Sequence, residues 1–168
     1  MSLSIRELEV LMEDAVAHCI DHVEAGGIPF VGVLADNHGY VSAPGVNLVH
    51  QTRDPSAHAE IVAMRQALRD LDRTDLKGVS LLATGEPCGL CYRFALQQGI
   101  SQIYVAVDAG TTAQLGFDYR KSYQALRIDH SDLRGLVTAL PVKNGLEPFT
   151  RYLELNYPHT STATSHTL

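Results

Sequence analysis

The sequence predicts an α/β protein: a mixed five-stranded sheet with helices on both faces. Three observations predict it. An amphipathic segment of helical period opens the chain. Two short apolar runs joined by turn residues follow it. From Val79 onward, runs of strand length alternate with helical ones. Such alternation builds parallel pairing, whereas the turn-linked runs add an antiparallel hairpin.

The opening helix spans Ser4 to Ala25. Leu8, Leu11, Met12, Ala15, Val16, Cys19 and Val23 recur at helical spacing. Ser4 with Glu7 three residues on forms a capping box, and Gly26-Gly27 stops the helix. Phe30 to Ala35 reads as a strand, Asp36-Asn37-His38-Gly39 as a turn, and Tyr40 to Ala43 as the returning strand. Gly45 to Asp54 is polar and loop-like. Pro55 to Asp72 reads as a helix with Ile61, Met64, Ala67, Leu68 and Leu71 on one face. Val79 to Thr84 is a buried strand. A helix with Pro87 in its first turn then runs to Gln98, where Gly99 ends it. Gln102 to Val107 is the next strand. Thr111 to Arg127 is mixed, with two short helices around Gly116-Phe117-Asp118-Tyr119. Leu136 to Leu140 gives a fifth strand and Glu147 to Tyr157 a last helix. No repeat or wide linker divides the chain, so a single domain is expected over residues 1–158. The Ser/Thr-rich residues 159–168 read as a flexible tail.

Composition narrows the function. The chain has 168 residues, 45% hydrophobic and 19% charged, which suits one buried core. A net charge of −6 argues against a broad nucleic-acid surface, which needs clustered Lys and Arg. Arg65, Arg69 and Arg73 recur at four-residue spacing and read as a solvated helix face. No apolar stretch has the length of a membrane span, and the acidic N-terminal segment lacks a signal-peptide core. Only three cysteines are present, too few for a disulfide framework. A cytoplasmic protein is expected.

Two of those cysteines belong to the most informative pattern. His58-Ala59-Glu60 is followed, 27 residues after Glu60, by Pro87-Cys88-Gly89-Leu90-Cys91. Imidazole nitrogen and thiolate sulfur are zinc ligands, and three protein ligands leave a position open for water. Cys88 and Cys91, three apart, share one helix face. In a first turn, free N–H groups and the macrodipole favour the thiolates that zinc needs. His58 begins the preceding helix, so two helix N-termini can converge on one zinc per chain. Glu60, two residues on, suits a proton shuttle between water, a ring nitrogen and a leaving amine. A purely structural zinc would need a fourth protein ligand. Cys19 lies in an apolar helix stripe, which leaves His50 as the nearest candidate by sequence. His18 and His22, spaced i, i+4, lack a following glutamate of the zinc-protease kind and read as a wet helix face.

These segments resemble the cytidine/deoxycytidylate deaminase superfamily, whose signature joins H-x-E to P-C-x-x-C. The resemblance runs over roughly residues 5 to 157 and looks strongest toward guanine deaminases and tRNA adenosine deaminases. It is carried by Ile28-Pro29-Phe30, Asn47, Asp54 to Glu60, Glu86-Pro87-Cys88 and Gly116-Phe117-Asp118. It implies a three-layer α-β-α sandwich and a zinc-dependent hydrolytic deaminase of a small aminated heterocycle, guanine first. By the same resemblance His58, Cys88 and Cys91 hold zinc and Glu60 shuttles protons. Phe30 would stack on the ring, or pack in the core. Asn47, 11 residues before His58, would hydrogen-bond the substrate, or serve as a turn residue. Ala59 and Tyr119 join the expected substrate contacts. Guanine deaminases of this kind are domain-swapped dimers, which implies a homodimer whose exchanged C-terminal segment brings Tyr157 to the partner's site.

The chain also departs from that pattern. Tyr119 stands where guanine deaminases usually carry a second aspartate that reads the base. Gly89-Leu90 lie between the cysteines, and Tyr92-Arg93-Phe94 follow where small residues are common. In cytidine deaminases an arginine near the second cysteine offsets thiolate charge; an exposed helix arginine is the plainer expectation for Arg93. The chemistry is thus more firmly read than the substrate.

Overall fold

The structure, a computed structural model, describes residues 2–158; the expected tail at 159–168 lies outside the described residues. Helix α1 (Ile5–Glu24) begins with the capping box, Ser4 and Glu7 each bonding the other's backbone N–H. Strand β1 (Val31–Asp36) is buried along its whole length. Its antiparallel edge partner is β2 (Gly45–Val46).

The expected hairpin return is present but short, and the edge strand proper lies further on. Tyr40 to Ala43 contribute one isolated bridge, Ala35 to Val41. The Asp36 carboxylate accepts from the N–H groups of His38 and Tyr40, shaping the turn. The Ser42 hydroxyl then accepts the Leu34 N–H at 2.9 Å, replacing a backbone acceptor. Pro44 has no N–H with which to continue a ladder.

The polar stretch before the second long helix holds one unexpected turn, α2 (Val49–Thr52). Helix α3 (Ala59–Asp70) starts four residues later than expected, with His58 as its N-cap. Asp54, restricted by the following proline, and Ser56 form a side-chain-bonded turn, so Pro55 to Ala57 stay outside the helix. Strand β3 (Val79–Gly85) leads to α4 (Gly89–Gln98). Cys88 caps α4 in extended geometry; Pro87 therefore precedes the helix rather than sitting in its first turn. Strand β4 (Gln102–Val107) is followed by α5 (Ala109–Gln114), α6 (Lys121–Ala125) and α7 (His130–Leu133). The first two are the expected pair of short helices; α7 was not expected. Strand β5 (Val137–Ala139) and helix α8 (Glu147–Asn156) complete the order.

The sheet runs β2-β1-β3-β4-β5, with β3, β4 and β5 parallel and β1 antiparallel to both its neighbours. Neighbouring residues face opposite layers. Leu34 and Leu81 pack with Ile61, Met64, Tyr92 and Ala95 of α3 and α4. Ala35 and Leu82 pack with Leu8, Met12 and Val16 of α1. Helix α8 lies against α1. A three-layer sandwich results, and its central strands are buried on both faces.

Candidate active site

The N-termini of α3 and α4 meet beside the ends of β1 and β3. His58 Nδ1 lies 3.3 Å from Cys88 Sγ and 3.5 Å from Cys91 Sγ, and the two sulfurs are 3.6 Å apart. Tetrahedral zinc, with bonds of about 2.3 Å to sulfur and about 2.0–2.1 Å to nitrogen, sets such ligand atoms about 3.5–3.8 Å apart. The observed triangle fits. Among the described residues this is the only cluster of three or more potential ligands of this kind. His50, the fourth-ligand candidate, is not in it, which leaves three protein ligands and an open position.

The electrostatics follow from burial and contact. The hydrogen bond between the two sulfurs, helped by His58, holds Cys88 down at about 4 and raises Cys91. The first ionisation of the pair is therefore the easy one. The Cys88 sulfur also raises the His58 pKa against the opposing effect of burial. Glu60 is buried, and its carboxylate accepts from the Cys91 thiol at 3.3 Å. Burial pushes its carboxyl up to about 7.

These groups sit at one wall of a cavity of about 240 Å³ lined by Ile28, Phe30, Asn47, His58, Ala59, Glu60, Glu86, Cys88 and Tyr119. Drug-sized sites occupy about 300–1,000 Å³, so this one suits a single small ring. The structure thus brings together all of the site residues expected from the sequence except Tyr157. Cys91 is buried behind the lining, within the ligand triangle. Tyr157 lies outside the cavity, 54% exposed at the end of α8.

Phe30 lines the cavity and meets Phe117, Tyr119 and Phe149 edge-on. Asn47 Oδ1 accepts the Val49 N–H at 3.1 Å, so the remaining amide N–H groups are its donors. Tyr119 lines the cavity with its ring, but its hydroxyl donates to the Glu86 backbone carbonyl. Arg93 donates to the carbonyls of Leu126 and Arg127, not to the thiolates. The Arg65, Arg69 and Arg73 face is occupied locally, by Asp54, Gln66 and Asp75.

Two lining residues, Ile28 and Glu86, lie in the segments that carry the resemblance but were given no role there. Ile28 carries no chemical signal in the sequence. Glu86 does, as an acid at the end of a buried strand two residues before a ligand. Its carboxylate accepts from the Tyr92 hydroxyl at 2.8 Å and the Ala109 N–H at 2.5 Å.

A three-layer sandwich that gathers one imidazole, two thiols and a buried carboxylate beside a small cavity is the scaffold of a zinc-dependent deaminase. Residues 5–107 match the cytidine and deoxycytidylate deaminase zinc-binding region, and the chain belongs to that family. It is 32% identical to the guanine deaminase of Bacillus subtilis over 111 residues, 66% of this chain and 70% of that one. It is 36% identical to the tRNA-specific adenosine deaminase of Aquifex aeolicus over 86 residues, 51% of this chain and 56% of that one. The solved Bacillus subtilis guanine deaminase superposes with a TM-score of 0.66 at 28% identity, covering 86% of this chain and 92% of that one. A guanine deaminase from Nitrosomonas europaea shares the fold, with a TM-score of 0.69 at 24% identity over 84% and 81% of the two chains. No helix among the described residues is long and apolar enough to cross a membrane.

Proposed function

We propose that this chain replaces the exocyclic amine of a small free heterocycle with a carbonyl oxygen from water, releasing ammonia, with guanine as the first candidate. The proposal rests on one arrangement: Glu60 within 3.3 Å of Cys91 Sγ, beside the His58–Cys88–Cys91 triangle, at the wall of a ring-sized cavity. Zinc held by those three residues would supply Lewis acidity, which brings the pKa of a contacted water toward about 7. Glu60 takes a proton from the attacking water. It passes that proton to the ring nitrogen, then takes the second from the hydroxyl on the tetrahedral carbon and passes it to the departing amine, so one water enters and one ammonia leaves. Phe30 and Tyr119 form aromatic walls, and the Asn47 amide supplies a donor to the ring. Burial keeps Glu60 away from bulk water between its two transfers.

The similarity to the Bacillus subtilis guanine deaminase supports guanine. We further infer a cytoplasmic homodimer, in which exchange of the C-terminal segment would carry Tyr157 to the partner's cavity; its exposure at the end of α8 supports that reading. Sedimentation of the purified chain tests the dimer. The test of function is ammonia release by zinc-loaded protein over a panel of bases and nucleosides. Release from guanine is expected, and no release from any compound would overturn the proposal. The likeness to a tRNA-specific enzyme favours a second reading, deamination of an adenosine in tRNA. The net charge of −6 weighs against it. A shifted tRNA band at moderate salt would support it.

A further inference from the structure

Cys88 occupies an awkward position. As N-cap of α4 it would ordinarily turn its side chain onto the helix's free N–H groups. It makes no such cap bond, because its sulfur points into the ligand triangle. The backbone around it, Glu86 to Gly89, lies between a strand and a helix, where regular ladders leave carbonyls and N–H groups to be satisfied from elsewhere.

One short segment, 33 to 36 residues further along, supplies the partners. The Tyr119 hydroxyl donates to the Glu86 carbonyl. The Tyr123 hydroxyl donates to the Pro87 carbonyl at 2.8 Å. The Ser122 hydroxyl accepts the Gly89 N–H at 2.8 Å and donates to the Tyr119 carbonyl at 2.6 Å. Three side chains thus hold backbone groups on both sides of Cys88, and Ser122 caps α4 in place of the cysteine. The two backbones touch: a β-carbon on Gly89 would lie 2.4 Å from the Ser122 carbonyl oxygen. Glycine is required for the splint to approach. The rings are themselves fixed, since Tyr123 packs against Tyr92 and Tyr119.

We propose that Tyr119, Ser122 and Tyr123 are positioning residues that splint the Glu86–Gly89 backbone and so hold Cys88 in the metal-binding geometry. The proposal rests on His58, Cys88 and Cys91 being the zinc ligands. It also gives Tyr119 a role other than reading the substrate: its hydroxyl is spent on the ligand loop. Partners that orient metal ligands from outside are typically worth about 10- to 100-fold in metal affinity or activity.

The test uses the full chain with Tyr119→Phe, Tyr123→Phe, the double variant, Ser122→Ala and Ser122→Thr. The Phe variants keep the aromatic packing and remove the hydroxyl donors; Tyr119→Phe also removes an acceptor of the Thr112 hydroxyl, so Tyr123→Phe is the cleaner single variant. Zinc affinity is measured by competition with a chelator, and cobalt(II) is substituted to read the thiolate-to-metal absorption bands. The double Phe variant and Ser122→Ala are expected to lose about 10- to 100-fold in zinc affinity and to shift the cobalt bands. Ser122→Thr, which keeps the hydroxyl, is expected to recover most of the affinity. Wild-type affinity and unshifted bands in folded variants would overturn the splint while leaving the zinc site standing. If the double variant fails to fold, the single variants decide by the same two measurements. A Cys88→Ala control as tight as wild type would overturn the zinc assignment itself, and the splint with it.

Discussion

Gly45 lies so close beneath the backbone of Ala59 that a β-carbon there would sit 2.5 Å from the Ala59 carbonyl oxygen. The same β-carbon would lie 2.6 Å from the Ala63 nitrogen. Gly32, its neighbour across the β1–β2 pair, would place one 3.0 Å from the Glu60 α-carbon. Two glycines thus let α3 settle on the sheet edge, and that settling sets the depth of His58 and Glu60. Backbone cannot yield as a flexible side chain does. Gly45→Ala is therefore expected to cost about 1–3 kcal/mol, the usual range for overpacking. It should also weaken zinc binding, because the first turn of α3 must lift. Urea unfolding and chelator competition check the two effects, and an unchanged midpoint would refute the tight-packing account.

Glu60 should separate chemistry from metal binding. It is not one of the three clustered ligands, yet it touches one of them. Glu60→Ala is expected to lower turnover by at least about 10²–10⁴-fold, the usual worth of a positioned acid–base group. Zinc content should stay near one per chain. Metal analysis alongside an ammonia assay reads both, and unaltered turnover in the variant would remove Glu60 from its role.

Asn47 should act on binding. Its amide oxygen is held by the Val49 N–H, which leaves the N–H groups for substrate. Loss of one such hydrogen bond is worth about 0.5–1.5 kcal/mol, so Asn47→Ala should raise KM about 2- to 13-fold with zinc content unchanged. The loop also loses the Asx bond to Val49, so a thermal melt belongs beside the kinetics. A variant with wild-type KM would make Asn47 a turn residue only.

The parts of this molecule legible in the sequence are those whose cause is local. The capping box at Ser4, the glycine after α4, the His58/Glu60 pair and the Cys88/Cys91 pair each depend on residues a few positions apart. The hairpin return is shorter than expected because one side chain, Ser42, intercepts a ladder hydrogen bond, and periodicity does not register that. The start of α3 was misplaced for the same reason, a side-chain turn at Asp54 and Ser56. Tyr119 was read as a lost carboxylate. Its hydroxyl's partner is a carbonyl 33 residues earlier, which no local pattern connects to it. Glu86 was visible in the sequence but indistinct, because its two donors come from α4 and α5.

Asp54 gives a prediction with a defined pH window. Its carboxylate accepts from the Ser56 hydroxyl at 2.6 Å, the Ser56 N–H at 2.9 Å and Arg65 at 3.0 Å, and Arg65 also donates to the Ser56 hydroxyl at 2.9 Å. This closed set fixes the turn that delivers His58. The Ser56 hydrogen bonds, then Arg65, hold the Asp54 carboxyl down at about 2 from an ordinary 3.8. A carboxyl whose pKa falls on folding contributes stability above its unfolded value and loses it as pH drops through its folded value. Asp54→Asn should therefore melt below wild type near neutral pH, and the gap should narrow as pH falls from 3.8 toward about 2. The side chains of Asp54 and Arg65 are 39% and 38% exposed, so water screens the pair and the Tm difference should be small. Thermal melts of both proteins across that range read the gap directly. A gap that is the same at about pH 5 and about pH 3 would show that the ionised carboxylate does not hold the turn.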